Sequence, residues 1–271
     1  MGPEAFVIAA AGFAAGMINV VVGSGTLITF PILVLLGYPP LVANVSNNLG
    51  LVAGGVAGTI GYRREIAAHR GFAFALLPVA LAGGLAGATL LLVLPSSAFK
   101  AIVPVLILVG IILVAIGPSI QRRVAARATR PSAADARPGS GAAVAGIPGG
   151  RGRRAGIMAT IFILGIYGGY FGAAQGILVV GALGILTTVS LGSVNAVKNL
   201  LVTGVNLMAS VVFILFARDS IDWAVVGLIT VGAGLGGFVG ARVGRRLPPT
   251  LLRVIIVTVG VVALVNLLLN T

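Results

Sequence analysis

Several residue types that build catalytic and metal sites are scarce in this chain of 271 residues. It has no cysteine, which excludes disulfides and thiolate metal sites, and its one histidine, His69, lies among predicted loop residues. The acidic residues number five, all at chain ends or in predicted loops: Glu4, Glu65, Asp135, Asp219 and Asp222. We therefore expect no enzyme, no cofactor and no metal site, because no constellation of such side chains reaches the apolar segments.

Charge of either sign is also rare, and long apolar runs take its place. Charged residues make up 8% of the chain and hydrophobic residues 58%, whereas a soluble domain carries about 25% charged residues. Apolar segments fall at about 5–36, 41–61, 72–94, 99–120, 156–188, 192–216, 222–241 and 250–270. Since roughly 20 apolar residues cross a bilayer as a helix, the sequence predicts an all-α polytopic membrane protein.

The net charge of +13 comes mainly from arginines that are confined to loops. This distribution is typical of cytoplasmic loops under the positive-inside rule and gives no reason to expect nucleic acid as a partner. We expect a multi-pass protein of a bacterial-type cytoplasmic (inner) membrane. Residues 121–155, rich in Arg, Gly, Pro and Ala, are predicted to form a basic flexible cytoplasmic linker. Anionic lipid headgroups are a second expected partner of this linker.

The regions on either side of the linker resemble each other. At an offset of 151 residues, Gly25 aligns with Gly176, Asn44 with Asn195, and Asn48 with Asn199. The sequence therefore predicts a first membrane repeat at 1–120 and a second at 156–271.

One segment of each repeat, 5–36 or 156–188, is too long for a simple crossing. Residues 5–36 would make about 48 Å of helix, against a hydrocarbon core of about 30 Å. Each segment is interrupted by glycines near its middle, so it is either an interrupted helix or a re-entrant hairpin. Hairpins would place every basic loop in the cytoplasm and leave three transmembrane helices per half, as in the inverted repeats of secondary transporters. A parallel bundle of four helices per half, with one loop breaking the charge rule, is the alternative.

Lys198 is the only charged residue between Arg154 and Arg218. At 100° per residue it shares one helical face with four polar residues: Asn195, Asn199, Thr203 and Asn206. In the first repeat Asn44, Asn47 and Asn48 form the equivalent cluster, and Lys198 takes the place of Asn47. A buried charge is costly in a membrane and usually faces a bundle interior, although Lys198 could instead reach toward the headgroups.

The two interruptions supply further hydrogen-bond donors. A break places the amino end of a half-helix at membrane depth, where free N–H groups and the helix dipole attract anions. The first break offers Gly23, Ser24, Gly25 and Thr26, and the second offers Gln175 and Gly176. Because no acidic residue joins them, we expect all these groups and the two polar clusters to bind a small anion rather than a cation.

The sequence resembles a known family. VGSGTLITFP at 22–31, the glycine pattern between Gly168 and Leu178, the two halves and the basic linker are similar to the TauE/SafE sulfite exporter family. The resemblance covers nearly the whole chain except about 121–154. It departs from the family pattern at Ser24 and Thr26, which replace glycines, and at Gly181 and Ala182, where a proline is expected. It implies transport of sulfite, a sulfonate or a related small organic anion, usually outward.

Together these observations predict a secondary transporter that exports sulfite, sulfoacetate or a related organosulfonate by alternating access at a midplane site. An anion channel with the same lining and a non-transporting membrane scaffold are the alternatives. Lys198 could act as a fixed charge or as a proton carrier. The coupling ion and the oligomeric state stay open, and a homodimer is one option.

Overall fold

The computed structural model describes residues 2–128, 151–187, 189–243 and 249–269. Every element in these ranges is a helix. The α-helices are α1 Gly2–Val21, α2 Thr26–Leu35, α3 Pro40–Gly61, α4 Arg63–Ala68, α5 Arg70–Val93, α6 Ser96–Ala128, α7 Arg151–Tyr170, α8 Gln175–Leu186, α9 Leu191–Phe216, α10 Trp223–Val243 and α11 Pro249–Leu269. A 3₁₀ turn, Arg218–Ser220, precedes α10.

Five helices in the described ranges are long and apolar enough to cross a membrane: α1, α5, α6, α9 and α10. They establish the predicted all-α polytopic architecture. α3 is 22 residues long, but Asn44, Asn47 and Asn48 make it less apolar than these five. α2 and α8 have 10 and 12 residues, too few to span the hydrocarbon core.

The first long apolar segment folds as a hairpin. The Tyr38 hydroxyl, just beyond α2, donates a 2.9 Å hydrogen bond to Glu4 Oε1 near the start of α1. Burial, and then this hydrogen bond, raises the pKa of Tyr38 to about 12, so the phenol stays a neutral donor. The chain therefore returns to the end of the molecule from which α1 began.

The second long segment makes the same reversal. Arg153 Nε, in the first turn of α7, donates to the carbonyl of Leu186 at the end of α8 at 3.1 Å. Gly23 (φ +84°) and Gly172 (φ +75°) occupy the turns, where the positive φ favours glycine. The interruptions predicted from the glycines thus become the tips of two helical hairpins, α1–α2 and α7–α8.

The two halves exchange their packing partners. α1 and α3 of the first half pack on α10 of the second, and α7 and α9 of the second half pack on α5 of the first. Gly12 lies against Ile229, and Gly240 lies against Met17, so α1 and α10 run parallel. In contrast, α3 and α9 run antiparallel, because Asn48 pairs with Ser210 and Thr59 with Asn199.

Helix directions place most of the described arginines at one end. α3 and α10 end together, with Gly61 against Ala241, so Arg63, Arg64 and Arg242 share one end. α5 and α7 both begin at that end, because Gly83 lies against Gly165 in a parallel pair that continues to Gly87 and Ile166. Glu4 and Asp222 lie near Tyr38 at the other end. Most described arginines therefore share one end, as the positive-inside rule expects, although Arg218 lies at the other end and Glu65 lies among the arginines.

The described ends of the predicted linker, residues 121–155, are helical. α6 continues to Ala128 and α7 begins at Arg151. Loss of hydropathy at Gln121 marks the end of the apolar run but not of the helix, because backbone hydrogen bonding continues through polar residues. Residues 129–150, and Arg245 and Arg246, lie outside the described residues.

Candidate functional site

The tips of the two hairpins meet in the interior. Gly176, at the start of α8, donates its N–H to the carbonyl of Gly23 at 3.0 Å. A Cβ added at Gly176 would lie 2.5 Å from Gly23 Cα, so the two backbones approach as closely as only glycine allows. Ala174, beside this contact, adopts a left-handed conformation with φ 57°. The two breaks, 151 residues apart in sequence, therefore form one structural centre.

The amino end of α2 presents unused hydrogen-bond donors at this centre. The N–H groups of Ser24, Gly25 and Thr26 have no backbone acceptor among the described residues. Ser24 is 1% exposed, and its hydroxyl is buried without a partner. Free N–H groups and the positive end of a helix dipole are the features by which a helix end attracts anions.

The amino end of α8 is more fully occupied than that of α2. Gln175 donates its N–H to Gly172, Gly176 donates to Gly23, and Ile177 donates to Ala174. The Gln175 side chain turns back, with Nε2 donating to the carbonyl of Leu164 at 3.0 Å. The two pseudo-equivalent helix ends therefore differ, and α2 is the end that keeps free donors.

Lys198 lies inside the bundle, 1% exposed. Its Nζ donates to the carbonyls of Asn19 and Val20, at 3.2 and 3.0 Å, at the carboxyl end of α1. The ammonium therefore satisfies carbonyls that a helix end leaves without partners, and it faces the negative end of the α1 dipole. Its aliphatic stem also packs against Gly176, since a Cβ there would meet Lys198 Cδ at 2.9 Å. Lys198 thus links α9 to both hairpins and does not reach toward headgroups.

Asn44 makes a similar contact to a helix end at the second hairpin, α7–α8. Its Nδ2 donates at 3.0 Å to the carbonyl of Tyr170, the last residue of α7. At the 151-residue offset, Tyr170 corresponds to Asn19, one of the two carbonyl partners of Lys198. A side chain of each half therefore caps the first hairpin helix of the other half. The Asn44 amide caps α7, and the Lys198 ammonium caps α1.

The other asparagines of α3 are oriented by hydroxyl groups. The Thr29 hydroxyl bonds to Asn47 Oδ1, and the Ser210 hydroxyl donates to Asn48 Oδ1 at 3.0 Å. Because both amide oxygens accept, the NH₂ groups of Asn47 and Asn48 are the donors that remain for a ligand.

The polar face of α9 is buried as predicted but is not uniformly donating. Asn195 Oδ1, Asn199 Nδ2 and Gln175 Oε1 are buried without a partner among the described residues. Thr203 pairs with Thr59 across the α3–α9 contact at 3.2 Å, and Asn206 is buried nearby on the same helix. Buried acceptors therefore accompany the donors at this centre.

Several contributors to this centre are absent from the sequence-based site. Thr29, Thr59, Ser210 and the carbonyls of Asn19, Val20 and Tyr170 all contact predicted site residues. Thr29 and Ser210 could have been found as hydroxyl residues within apolar helices, where side chains seek partners. The carbonyls carry no sequence signal.

No group of three or more His, Asp or Glu side chains lies together among the described residues. Three cavities in those residues lie away from the tip contact: one at the arginine end, one apolar between α5, α6 and α7, and one beside Glu4 and Tyr38. The hairpin tips themselves are in direct contact at Gly23 and Gly176.

Comparison with known proteins decides the family. Residues 8–267 match the family described as Sulfite exporter TauE/SafE. The chain belongs to the TauE/SafE family. It is also similar to the probable membrane transporter protein ORF9 of Sinorhizobium sp., with 27% identity over 238 residues, 87% of this chain and 80% of that protein. No solved structure matches. As a TauE/SafE member with five candidate spans in its described residues, the protein is a multi-pass membrane protein that acts in membrane transport.

Proposed function

We propose that this protein exports a small oxyanion, such as sulfite, sulfoacetate or a related organosulfonate, across a bacterial cytoplasmic membrane. The observation that carries the proposal is the amino end of α2, where three N–H groups and the buried Ser24 hydroxyl have no partner among the described residues. Oxyanions satisfy several such donors at once, and a helix end favours their charge. The family to which the chain belongs, Sulfite exporter TauE/SafE, supports the same ligand class.

The two halves are proposed to form an inverted repeat. α3 and α9 correspond in sequence but run antiparallel, and both hairpins return to the end from which they start. With the arginine end in the cytoplasm, the first half begins outside and the second begins inside. This arrangement removes the conflict in the parallel alternative, which would put the arginines after α10 on the outside.

We propose alternating access around the contact of the hairpin tips. Gly23 and Gly176 close the centre in this conformer, which favours a gated carrier over a permanently open pore. Rocking of one hairpin relative to the other would expose the α2 amino end to one side at a time. Export of an anion from a negative interior gains about 2.3 kcal/mol per charge per 100 mV, so no coupling ion is required.

Lys198 is proposed to hold the hairpins in register and to attract the anion. Its ammonium has three N–H donors, of which two bond to α1 carbonyls, so one is left for a ligand. No acidic side chain of the described residues neutralises it there, because Glu4, Glu65, Asp219 and Asp222 lie at helix ends or in loops. The site therefore keeps a net positive charge when the lysine is protonated.

Counterflow of labelled sulfite or sulfoacetate in proteoliposomes tests this proposal. We expect Lys198→Ala to reduce uptake by about tenfold or more, because a charge-assisted contact and two helix-end bonds are lost. Lys198→Arg should retain part of the activity, since it keeps the charge but not the shape. Wild-type counterflow by the alanine variant would remove Lys198 from the mechanism, and absence of counterflow by the wild type with every oxyanion would overturn the function.

A further inference from the structure

A second charged concavity lies at the arginine end of the molecule, away from the hairpin tips. It has a volume of about 420 Å³ and lies between the ends of α3 and α10. Its polar lining consists of Arg63, Arg64, Arg242 and Glu65. Three guanidinium groups against one carboxylate give the cavity an excess of positive charge.

Two of the three arginines of this cavity, Arg63 and Arg242, have contacts that orient them. The Arg242 guanidinium lies over the Phe238 ring, 3.6 Å from its centroid, and Arg63 donates from Nη1 to the carbonyl of Ile60 at 3.2 Å. A guanidinium carries five N–H donors, so each group keeps others for a ligand. Their fork-like geometry suits a phosphate, which can accept two hydrogen bonds from one arginine.

The other wall of the cavity is apolar and continues along the outside of the bundle. Ala57, Ile60, Phe238 and Ala241 line it. Ile60 and Phe238 are 55% and 50% exposed, and one turn further into the span Val56 and Leu235 are 41% and 60% exposed. Exposed apolar residues on a transmembrane helix face acyl chains, so the cavity lies where headgroups meet hydrocarbon.

The geometry points to a binding site for one anionic phospholipid, of the phosphatidylglycerol or cardiolipin type. Its phosphate binds the arginines, and an acyl chain follows the groove between α3 and α10 past Ile60 and Phe238. A free small anion would not contact the apolar wall. A zwitterionic lipid would bring its positively charged headgroup amine close to the guanidinium groups, which would repel it. The site is independent of the transported substrate and lies outside the basic segment between α6 and α7.

Native mass spectrometry of the full chain in detergent tests this inference. The protein is titrated with phosphatidylglycerol, phosphatidylcholine or inorganic phosphate. We expect phosphatidylglycerol to bind most tightly, and the double variant Arg64→Gln/Arg242→Gln to bind it roughly thirty-fold more weakly, since each interfacial arginine adds to anionic-lipid affinity. Arg70→Gln is the matched control, because it removes an arginine from the same end but outside the cavity. It should bind like the wild type.

Equal affinity of the double variant and the wild type for phosphatidylglycerol would overturn the site. A short-chain, soluble phosphatidylglycerol separates the two sources of phosphate. If it or inorganic phosphate displaces the long-chain lipid at equal concentration, the acyl groove contributes nothing and the cavity is a soluble-anion site instead. Thermal unfolding shows whether the variants fold. We expect their thermal midpoints to stay close to that of the wild type, because substitutions of exposed arginines change stability little.

Discussion

Gly176→Ala is the substitution that tests the contact between the hairpin tips most sharply. The new Cβ would lie 2.5 Å from Gly23 Cα and 2.9 Å from both the Gly23 oxygen and Lys198 Cδ. Non-bonded carbons rest about 3.5–4.0 Å apart, so the tips must separate by about 1 Å. Gly176 lies inside α8, so the alanine meets no conformational obstacle of its own.

The size of the effect follows from two opposing terms. Overpacking of this kind costs about 1–3 kcal/mol, whereas glycine to alanine within a helix otherwise gains up to about 1 kcal/mol. We expect a net loss of stability, a lower thermal midpoint and counterflow reduced by about tenfold or more. Transport suffers because a binding constellation displaced by about 1 Å commonly loses function.

Gly227→Ala supplies the matched control. Gly227 lies in α10, and a Cβ there would meet nothing within 4 Å, so only the helix-propensity gain applies. Thermal unfolding in detergent and sulfite counterflow should therefore be unchanged or slightly improved in this variant. If Gly176→Ala and Gly227→Ala behave alike in both assays, the tips do not form the close contact from which the site is built.

Two further substitutions separate ligand binding from architecture. Ser24→Ala should raise the half-saturating anion concentration about tenfold while leaving the thermal midpoint unchanged, because the hydroxyl has no partner to lose in the part of the chain that the structure describes. Asn44→Leu should do the reverse: it leaves the Tyr170 carbonyl without its donor and destabilises the fold by about 1–3 kcal/mol, measured by thermal unfolding. A destabilised Ser24→Ala variant with normal anion affinity, or a fully stable Asn44→Leu variant, would contradict these roles.

The positions of the breaks and the buried polar faces could be predicted from the sequence. Glycines at 23, 25, 172 and 176 interrupt segments too long for one crossing, and bilayer thickness then leaves few options. The i, i+3 and i+4 spacing of Asn195, Lys198 and Asn199 also indicates a helix face that is too polar to contact lipid. In the structure all three residues have buried polar atoms.

The partners of those polar groups could not be predicted. Lys198 bonds to carbonyls 178 and 179 residues away, and a backbone carbonyl has the same chemistry at every position. The exchange of packing partners between the halves also could not be predicted from the sequence, because periodicity shows which face of a helix is buried but not which helix it packs against. The unequal filling of the α2 and α8 helix ends is also not visible in the sequence, because it depends on which backbone carbonyls lie near the first N–H groups of each helix.

The ends of helices were the least predictable feature of the fold. α6 extends through Arg122 and Arg123, because a helix that leaves the membrane keeps its backbone hydrogen bonds while its side chains meet water. The short α4, Arg63–Ala68, is too brief to carry a periodic signal and is fixed by its contacts with α9 and α5.

Anomalous diffraction from crystals soaked with selenite tests the central claim most directly. Selenite has the shape and charge of sulfite, and a chain without cysteine offers no thiol to reduce it. We predict one selenium peak within hydrogen-bonding reach of the Ser24 hydroxyl and the N–H groups of Gly25 and Thr26. A chain that transports selenite but shows its selenium only elsewhere, with the α2 amino end empty, would contradict the account.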